Sequence, residues 1–362
     1  MSDAAWVDVI STVVKIIVVV VLCIHVPPIM IWVERRGPAL MQRRRGPNRV
    51  GLFKFRLWGL LQSLADALKL IFKEEIIPAL ANKKFFHLAP LIGAIPAFLI
   101  AGAIPFGPDI QLHGFTIPMS IINLDVGFLF ILAISSLGVY SIALAGWACN
   151  SKYSLFGSLR ASAQMVSYEI PLGLSLVPLV LIFGSLGINE IAQQQDSFLG
   201  WGIFLAPVSF FLFLISMFAE TNRAPFDMAE SEAELVAGFH TEYGSTKFAL
   251  FFLAEYINMF VLSCLAATFF FGGWQLPFIS QELLLNVLSN ITQDYASLIA
   301  SLLGMVTLLI KAAFFMWLFV WVRWTLPRFR YDQLMNLGWK FMLPLGLVNV
   351  LVTAVVLAAL RF

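Results

Sequence analysis

The chain has 362 residues, 60% of them hydrophobic and 12% charged, with a mean hydropathy of +0.88. Soluble domains carry about 25% charged residues, so this composition excludes a globule surrounded by water and points to an all-α polytopic membrane protein. The net charge of +2 decides little, and the three scattered cysteines, Cys23, Cys149 and Cys264, form neither a disulfide framework nor a cluster-ligand spacing.

In chain order, the first apolar run covers residues 7–33. It has no basic region before it and is too long for a signal sequence, so it reads as a retained span, kinked at Pro27-Pro28. Seven further runs reach the roughly 20 apolar residues a spanning helix needs: about 86–106, 124–148, 166–188, 199–219, 248–272, 299–322 and 341–361. Together they make residues 1–362 one integral membrane domain. The first, third, fifth and seventh connections hold twenty of the 23 Lys and Arg residues, and the second, fourth and sixth hold none. Odd connections therefore face the cytoplasm and both termini lie outside.

The first connection opens on Glu34-Arg35-Arg36 and continues through Arg43-Arg44-Arg45 into the turn residues Gly46-Pro47. Such a patch anchors on anionic lipid or docks a cytoplasmic protein or a polar ligand head. An amphipathic helix follows at about 57–74. It sets Leu57, Leu60, Leu61, Leu64, Leu68 and Ile71 against Gln62, Asp66, Lys69 and Lys73, a pattern that lies along the interface. Asp66 and Lys69, one turn apart, are placed to pair.

Glu169 opens the fourth span among apolar residues, nine positions after Arg160. The fifth connection gathers Glu220, Asp227, Glu230, Glu232, Glu234, Glu242 and Tyr243 beside Arg223. Asn222 and Pro225 signal a helix start and Gly238 a stop. On such a helix Asp227, Glu230 and Glu234 fall within about 60° of one another. Acids favour a helix N-terminus, which accounts for Asp227 but not for Glu234. Like charges on one face raise each other's pKa, which suits proton handling; a solvated loop that meets a basic partner is the alternative. In the sixth span Phe248, Phe252, Glu255 and Met259 share a stripe able to line an apolar tunnel with one polar contact, although helix packing also explains the aromatics. Lys311 and Arg323 are counter-charges or snorkelling residues of the seventh span. The four histidines lack the paired spacing of a metal or haem site, and there is no G-x-G-x-x-G and no P-loop. The acids thus need a partner or a gradient to drive them.

The segment from Glu220 to Gly244 (ETNRAPFDMAESEAELVAGFHTEYG) resembles the signature loop of the H-type subunit family of bacterial NADH-quinone oxidoreductase, respiratory complex I, whose mitochondrial counterpart is NADH dehydrogenase subunit 1. Glu34-Arg35-Arg36, Arg45-Gly-Pro-Asn48, the stretch 64–69 (LADALK), the stretch 160–169 (RASAQMVSYE), the stretch 251–256 (FFLAEY) and the stretch 327–333 (PRFRYDQ) extend the likeness from the first span to the last. The resemblance implies an eight-span core forming the heel of the membrane arm, where a peripheral arm docks. Quinone, with ubiquinone expected, is then the substrate. It passes through a tunnel whose mouth matches Glu34 and whose walls match Arg35, Arg36, Arg44, Arg45, Asp66, Phe252 and Glu255. Glu169, Glu220, Asp227, Glu230, Glu232, Glu234, Glu242 and Tyr243 match an acidic path towards the antiporter-like subunits, with Arg160, Arg223 and Lys69 as nearby cations. Arg36 and Arg45 stand where some relatives carry lysine, so their forked hydrogen bonding differs.

The implied enzyme is a proton-translocating oxidoreductase in the bacterial inner membrane. FMN and iron–sulfur clusters sit only in partner subunits, and this chain binds no metal and nothing covalently. Its implied partners are the cytoplasmic quinone-site and iron–sulfur subunits, small neighbouring membrane subunits and the lipid bilayer, with no nucleic acid. Two rivals are the homologous membrane component of an energy-converting hydrogenase and a free-standing ion antiporter; the second predicts inverted repeats with broken helices, which the sequence lacks.

Overall fold

The computed structural model describes residues 3–51, 57–112, 115–229, 235–291 and 295–361. Its first helix, α1 (Asp3–Met41), runs unbroken through Pro27, Pro28 and Pro38. At 1.5 Å per residue it is about 58 Å long, roughly twice the hydrocarbon thickness. Glu34, Arg35 and Arg36 therefore stand on this helix rather than in the connection after it. A short turn, Leu57–Gly59, leads into α2 (Gln62–Phe72). This helix turns its polar side inward: Ser63 donates to the Pro28 carbonyl at 2.7 Å and Asp66 meets Arg35 at 2.6 Å. Leu64, Leu68 and Ile71 stay exposed. The arrangement reverses that of a soluble amphipathic helix and suits an apolar surround.

α3 (Lys83–Ala103) is followed by a hairpin, β1 (Ile110–Leu112) and β2 (Phe115–Ile117), in register Ile110 to Ile117. Next come α4 (Gly127–Ser135), α5 (Leu137–Ala148) and α6 (Lys152–Phe183). Because α6 starts at Lys152, Arg160 and Glu169 share one helix, and Glu169 lies near its middle. After α7 (Ile188–Gln194), the apolar run expected over 199–219 is divided into α8 (Gly202–Leu205) and α9 (Pro207–Glu220). Pro207 has no N–H to continue the ladder from α8, so it restarts the helix at its own first turn. At 14 residues, α9 is about 21 Å long, short of the roughly 30 Å hydrocarbon core.

The order closes with α10 (Ser245–Phe270), α11 (Gln281–Ile291), α12 (Ala296–Thr325) and α13 (Tyr331–Asn336). α13 continues through a π turn (Leu337–Met342) into α14 (Leu343–Arg361). Among the described residues, seven helices are long and apolar enough to cross a membrane, and α9 is apolar but shorter. The hairpin and α11 give regular structure to two of the connections between spans. α10 is the hub: it packs against α1, α3 and α12, and from Met259 to Phe270 its side chains are buried throughout. α14 touches chiefly α6 and leaves Val348, Leu351, Val352 and Val355 exposed, as expected of a peripheral membrane helix.

One backbone contact places the site. A Cβ on Gly157 of α6 would fall 2.6 Å from the Gly238 Cα, and Gly238 itself has φ +54°. With glycine at both positions, the 238–240 turn lies flat against α6.

Candidate functional site

The fifth connection leaves α9 in a turn. Asn222 takes φ 50°, the Phe226 N–H donates to the Arg223 carbonyl at 2.8 Å, and Asp227 is not helical. The helix expected to begin at Asn222 and Pro225 does not form there, because Pro225 is drawn into the turn. Asp227, expected on a helical face, therefore stands in the turn instead. Glu230, Glu232 and Glu234 lie outside the described residues. Gln164 of α6 fastens the turn, its amide donating to the carbonyls of Ala219 (2.8 Å) and Phe226 (2.7 Å) and to the Asn222 side chain (3.2 Å).

Arg223 is drawn inward from this turn, its side chain only 6% exposed. Its Nη1 lies 3.0 Å from Glu34 Oε1 on α1 and its Nε 2.6 Å from Glu255 Oε1 on α10. The guanidinium covers the Tyr256 ring at 4.3 Å. Glu34 also pairs with Arg323 of α12 and accepts a hydrogen bond from the Tyr256 hydroxyl. Two arginines and two carboxylates thus form a neutral knot that joins α1, α10, α12 and the connection. Burial opposes the Arg223 charge, but Glu255 and Glu34 together hold the guanidinium protonated well above its usual range.

Asp227 meets Arg328, beyond α12, at 2.8 Å, and the Phe329 N–H donates to the Pro225 carbonyl at 3.2 Å. The seventh connection thereby clasps the fifth. Arg328 is 38% exposed and Asp227 only 7%, so water reaches and screens this half-buried pair from the arginine side. A double-mutant cycle of Asp227→Asn and Arg328→Gln, read as thermal melting of the purified complex, is expected to give a coupling of about 1 kcal/mol or less. A coupling several times larger would mark the clasp as a structural keystone.

Behind the knot lies a cavity of about 60 Å³, lined by Glu220, Asn222, His240, Glu255 and Asn258 among others. A second, of about 30 Å³, shares Gly138, Met165, Glu220 and Asn258 with it. These are water-sized spaces, far below the roughly 300 Å³ of a small-molecule pocket. Glu169 stands close enough to Glu220 for their charges to interact. Arg160 of the same helix covers the Tyr331 ring at 5.4 Å and reaches Met228.

Tyr243 is buried, stacked on Phe86 at 4.2 Å and edged by Phe251, and burial pushes its hydroxyl above its usual range. Glu242 beside it is half-buried. His240 is held by the rings of Phe239, Phe248, Phe251 and Phe252, and burial lowers its pKa to about 3. An unfolded histidine takes its proton near pH 6.5 and this one only near 3, so acidification from about 6.5 towards 3 works against the fold.

On the other side, Arg36 lies over Trp32 (5.2 Å) and Trp58 (5.6 Å), and Phe252 lies between Phe248 and Tyr256. Arg44, Arg45 and Lys69 are exposed, away from the knot. Lys69 does not join Asp66, which pairs instead with Arg35. Of the two cations left open between readings, Arg323 is a counter-charge. Lys311 donates to the carbonyls of Phe271, Gly273 and Gln275 at 2.6–2.8 Å, closing the end of α10. The sequence reading also passed over Tyr256, Arg328, Gln164 and His240. Tyr256 follows Glu255 directly, Arg328 lies in the stretch 327–333, Gln164 in 160–169 and His240 in the segment from Glu220 to Gly244, so all four stood within the stretches that carry the resemblance without being singled out.

Comparison with known proteins matches the profile of the NADH dehydrogenase family to residues 13–354. The chain is 47% identical to an H-type NADH-quinone oxidoreductase subunit of Cytophaga hutchinsonii, with 89% of each chain covered. It is 48% identical to an H-type subunit of the same enzyme from Geobacter sulfurreducens, with 91% of each covered. It is 46% identical to NADH-quinone oxidoreductase subunit 8 of Rhodothermus marinus, over 90% of this chain and 91% of that one. With the profile spanning nearly the whole length and identity near one half, the chain belongs to the NADH dehydrogenase family, among the membrane subunits of NADH-quinone oxidoreductase.

Proposed function

We propose that this chain walls the quinone passage of a proton-translocating NADH-quinone oxidoreductase and relays the charge of quinone reduction towards the proton-pumping membrane arm. One observation carries the reading: Arg223 ties Glu34, on the basic end of α1, to Glu255, which also lines the cavity holding Glu220. The passage side comprises Glu34, Arg35, Arg36 and Asp66 at the α1–α2 edge and Phe252 with Glu255 on α10; Arg44 and Arg45 meet lipid or the docked arm. The relay side comprises Glu255, Glu220 and Glu169, with Glu242 and Tyr243 flanking it and Asp227, Glu230, Glu232 and Glu234 on the connection. Arg160, Arg223 and Lys69 supply positive charge.

Reducing a quinone to its quinol consumes two electrons and two protons. The electrons come from the iron–sulfur chain of partner subunits. Proton withdrawal near Glu34 or Glu255 changes the charge that Arg223 must balance. A salt-bridged arginine keeps its own proton and answers by shifting between carboxylates, and the shift alters the proton affinity of Glu220. The half-buried clasp at Asp227 and Arg328 lets the connection move as it does so. In this reading the protein sits in a bacterial inner membrane with both termini outside, beside cytoplasmic quinone-site subunits and small membrane neighbours, and ubiquinone is the expected quinone.

The test is photolabelling of the assembled complex with an azido-quinone, mapped to residues. Labels are expected on the α1–α2 edge and on the Phe248–Phe252 stripe, competed away by unlabelled quinone. Labelling confined to other subunits would remove the passage from this chain.

A further inference from the structure

We propose that His240 is a proton-relay residue, the group through which the aromatic wall of the passage communicates with the carboxyl-lined cavity; this rests on the relay reading above. Like Glu255, which is held in an ion pair with Arg223, His240 touches both. Its ring lies 5.6 Å from Phe248 and 5.8 Å from Phe252, the stripe assigned to the wall, and it lines the cavity with Glu220 and Glu255. Phe239, at 3.8 Å, and Phe251, at 5.4 Å, flank the ring as well.

A ring of aromatics alone would be filled as well by phenylalanine, and better on transfer grounds, since a buried imidazole needs polar partners. What imidazole adds is two nitrogens of complementary character. It accepts a proton at one and releases one from the other, so a proton crosses the ring and the ring ends neutral, with donor and acceptor positions exchanged. Its low proton affinity keeps it neutral at working pH, so the imidazolium exists only in passing. Among the described residues, the charged and titratable groups around it come from three elements. α9 brings Glu220 and α10 brings Glu255, which is paired to Arg223, while Tyr243 of its own segment meets it through the backbone, its N–H donating to the His240 carbonyl at 2.9 Å. α3, α5 and α6 contribute Gly93, Ser141 and Met165 to the cavity and no charge. The turn that carries His240 is seated on α6 through the Gly157–Gly238 contact, and its backbone N–H donates to the Ala237 carbonyl at 3.1 Å, so the ring is positioned rather than loose.

Packing and relay predict different outcomes for two substitutions. In the complete complex reconstituted in vesicles, NADH oxidation and proton uptake are measured for His240→Phe and His240→Gln between pH 6 and 8.5. A relay role gives at least fivefold fewer protons per NADH for both, because neither side chain takes up a proton and releases one. A filler role leaves His240→Phe assembled and pumping at the parental ratio, and that result overturns the proposal. Site-specific Nδ-methylhistidine at position 240 preserves ring shape, and so assembly, while blocking exchange at one nitrogen. Pumping should fall with it, and unchanged pumping overturns the proposal independently of folding. Glu220→Gln in the same preparation separates the two levels. If it pumps normally, the acidic relay itself fails; if it fails to pump while all three position-240 variants pump normally, only the part given to His240 falls.

Discussion

Replacing Arg223 with leucine is expected to strip the assembled complex from the membrane. Removing one partner of a buried ion pair leaves uncompensated charge and costs about 3–5 kcal/mol. Here two carboxylates lose a partner at once. Glu34 keeps Arg323 and Tyr256, but the 2.6 Å contact of Glu255 goes. Membrane content of the intact complex on native gels should drop at least tenfold, or its melting temperature by many degrees. Arg223→Lys should recover only part, because one ammonium cannot reach two carboxylates in different directions and also lie flat on Tyr256. Arg223→Leu combined with Glu255→Leu should recover more than Arg223→Leu alone, since the stranded charge is gone. A single Arg223→Leu variant with parental content and melting would show that the knot carries neither assembly nor stability.

Glu220→Gln is expected to act on chemistry rather than on assembly. Glutamine keeps the volume and fits the same water-sized cavities, so complex content should stay near parental. The amide neither takes up nor releases a proton near neutral pH, so it cannot answer the charge of nearby Glu169 as the carboxyl does. Protons moved per NADH should fall at least tenfold, with quinone reduction slowed less unless the two steps are tightly locked. Parental quinone reduction together with parental pumping would take Glu220 out of the mechanism.

Much of this site could be named from the sequence, but little of it could be assembled. Glu34, Arg223 and Glu255 each stood out because ionisable groups in apolar surroundings are rare. Nothing in the chain said that one arginine joins the other two, since Glu34 and Arg223 are 189 positions apart. The Asp66 pairing went to Arg35 instead of Lys69 because α2 turns its polar side onto α1, and helical spacing cannot sense a neighbour. The reach of α1 to Met41 was hidden because prolines that end a helix in water are tolerated where neighbouring helices satisfy the freed carbonyls. Asp227 was read onto a helix face by rules for Pro and Asn that a tertiary turn, fastened by Gln164, overrides.

The knot also constrains how the chain is made. Ribosomes deliver Glu34 first, and its partners Arg223 and Arg323 are encoded 189 and 289 residues later. At 5–20 residues per second, Glu34 spends about 10–40 s without its first cation. Its place on the extension of α1 beyond the hydrocarbon lets it wait in water meanwhile. Arg223, Arg323 and Arg328 each emerge with an acid already inserted, and Lys311 with its three carbonyls. Vectorial synthesis thus supplies nearly every costly charge with a host in advance. A circularly permuted gene that placed α12 ahead of α1 would lose that order and should be degraded by membrane quality control before it could join its complex.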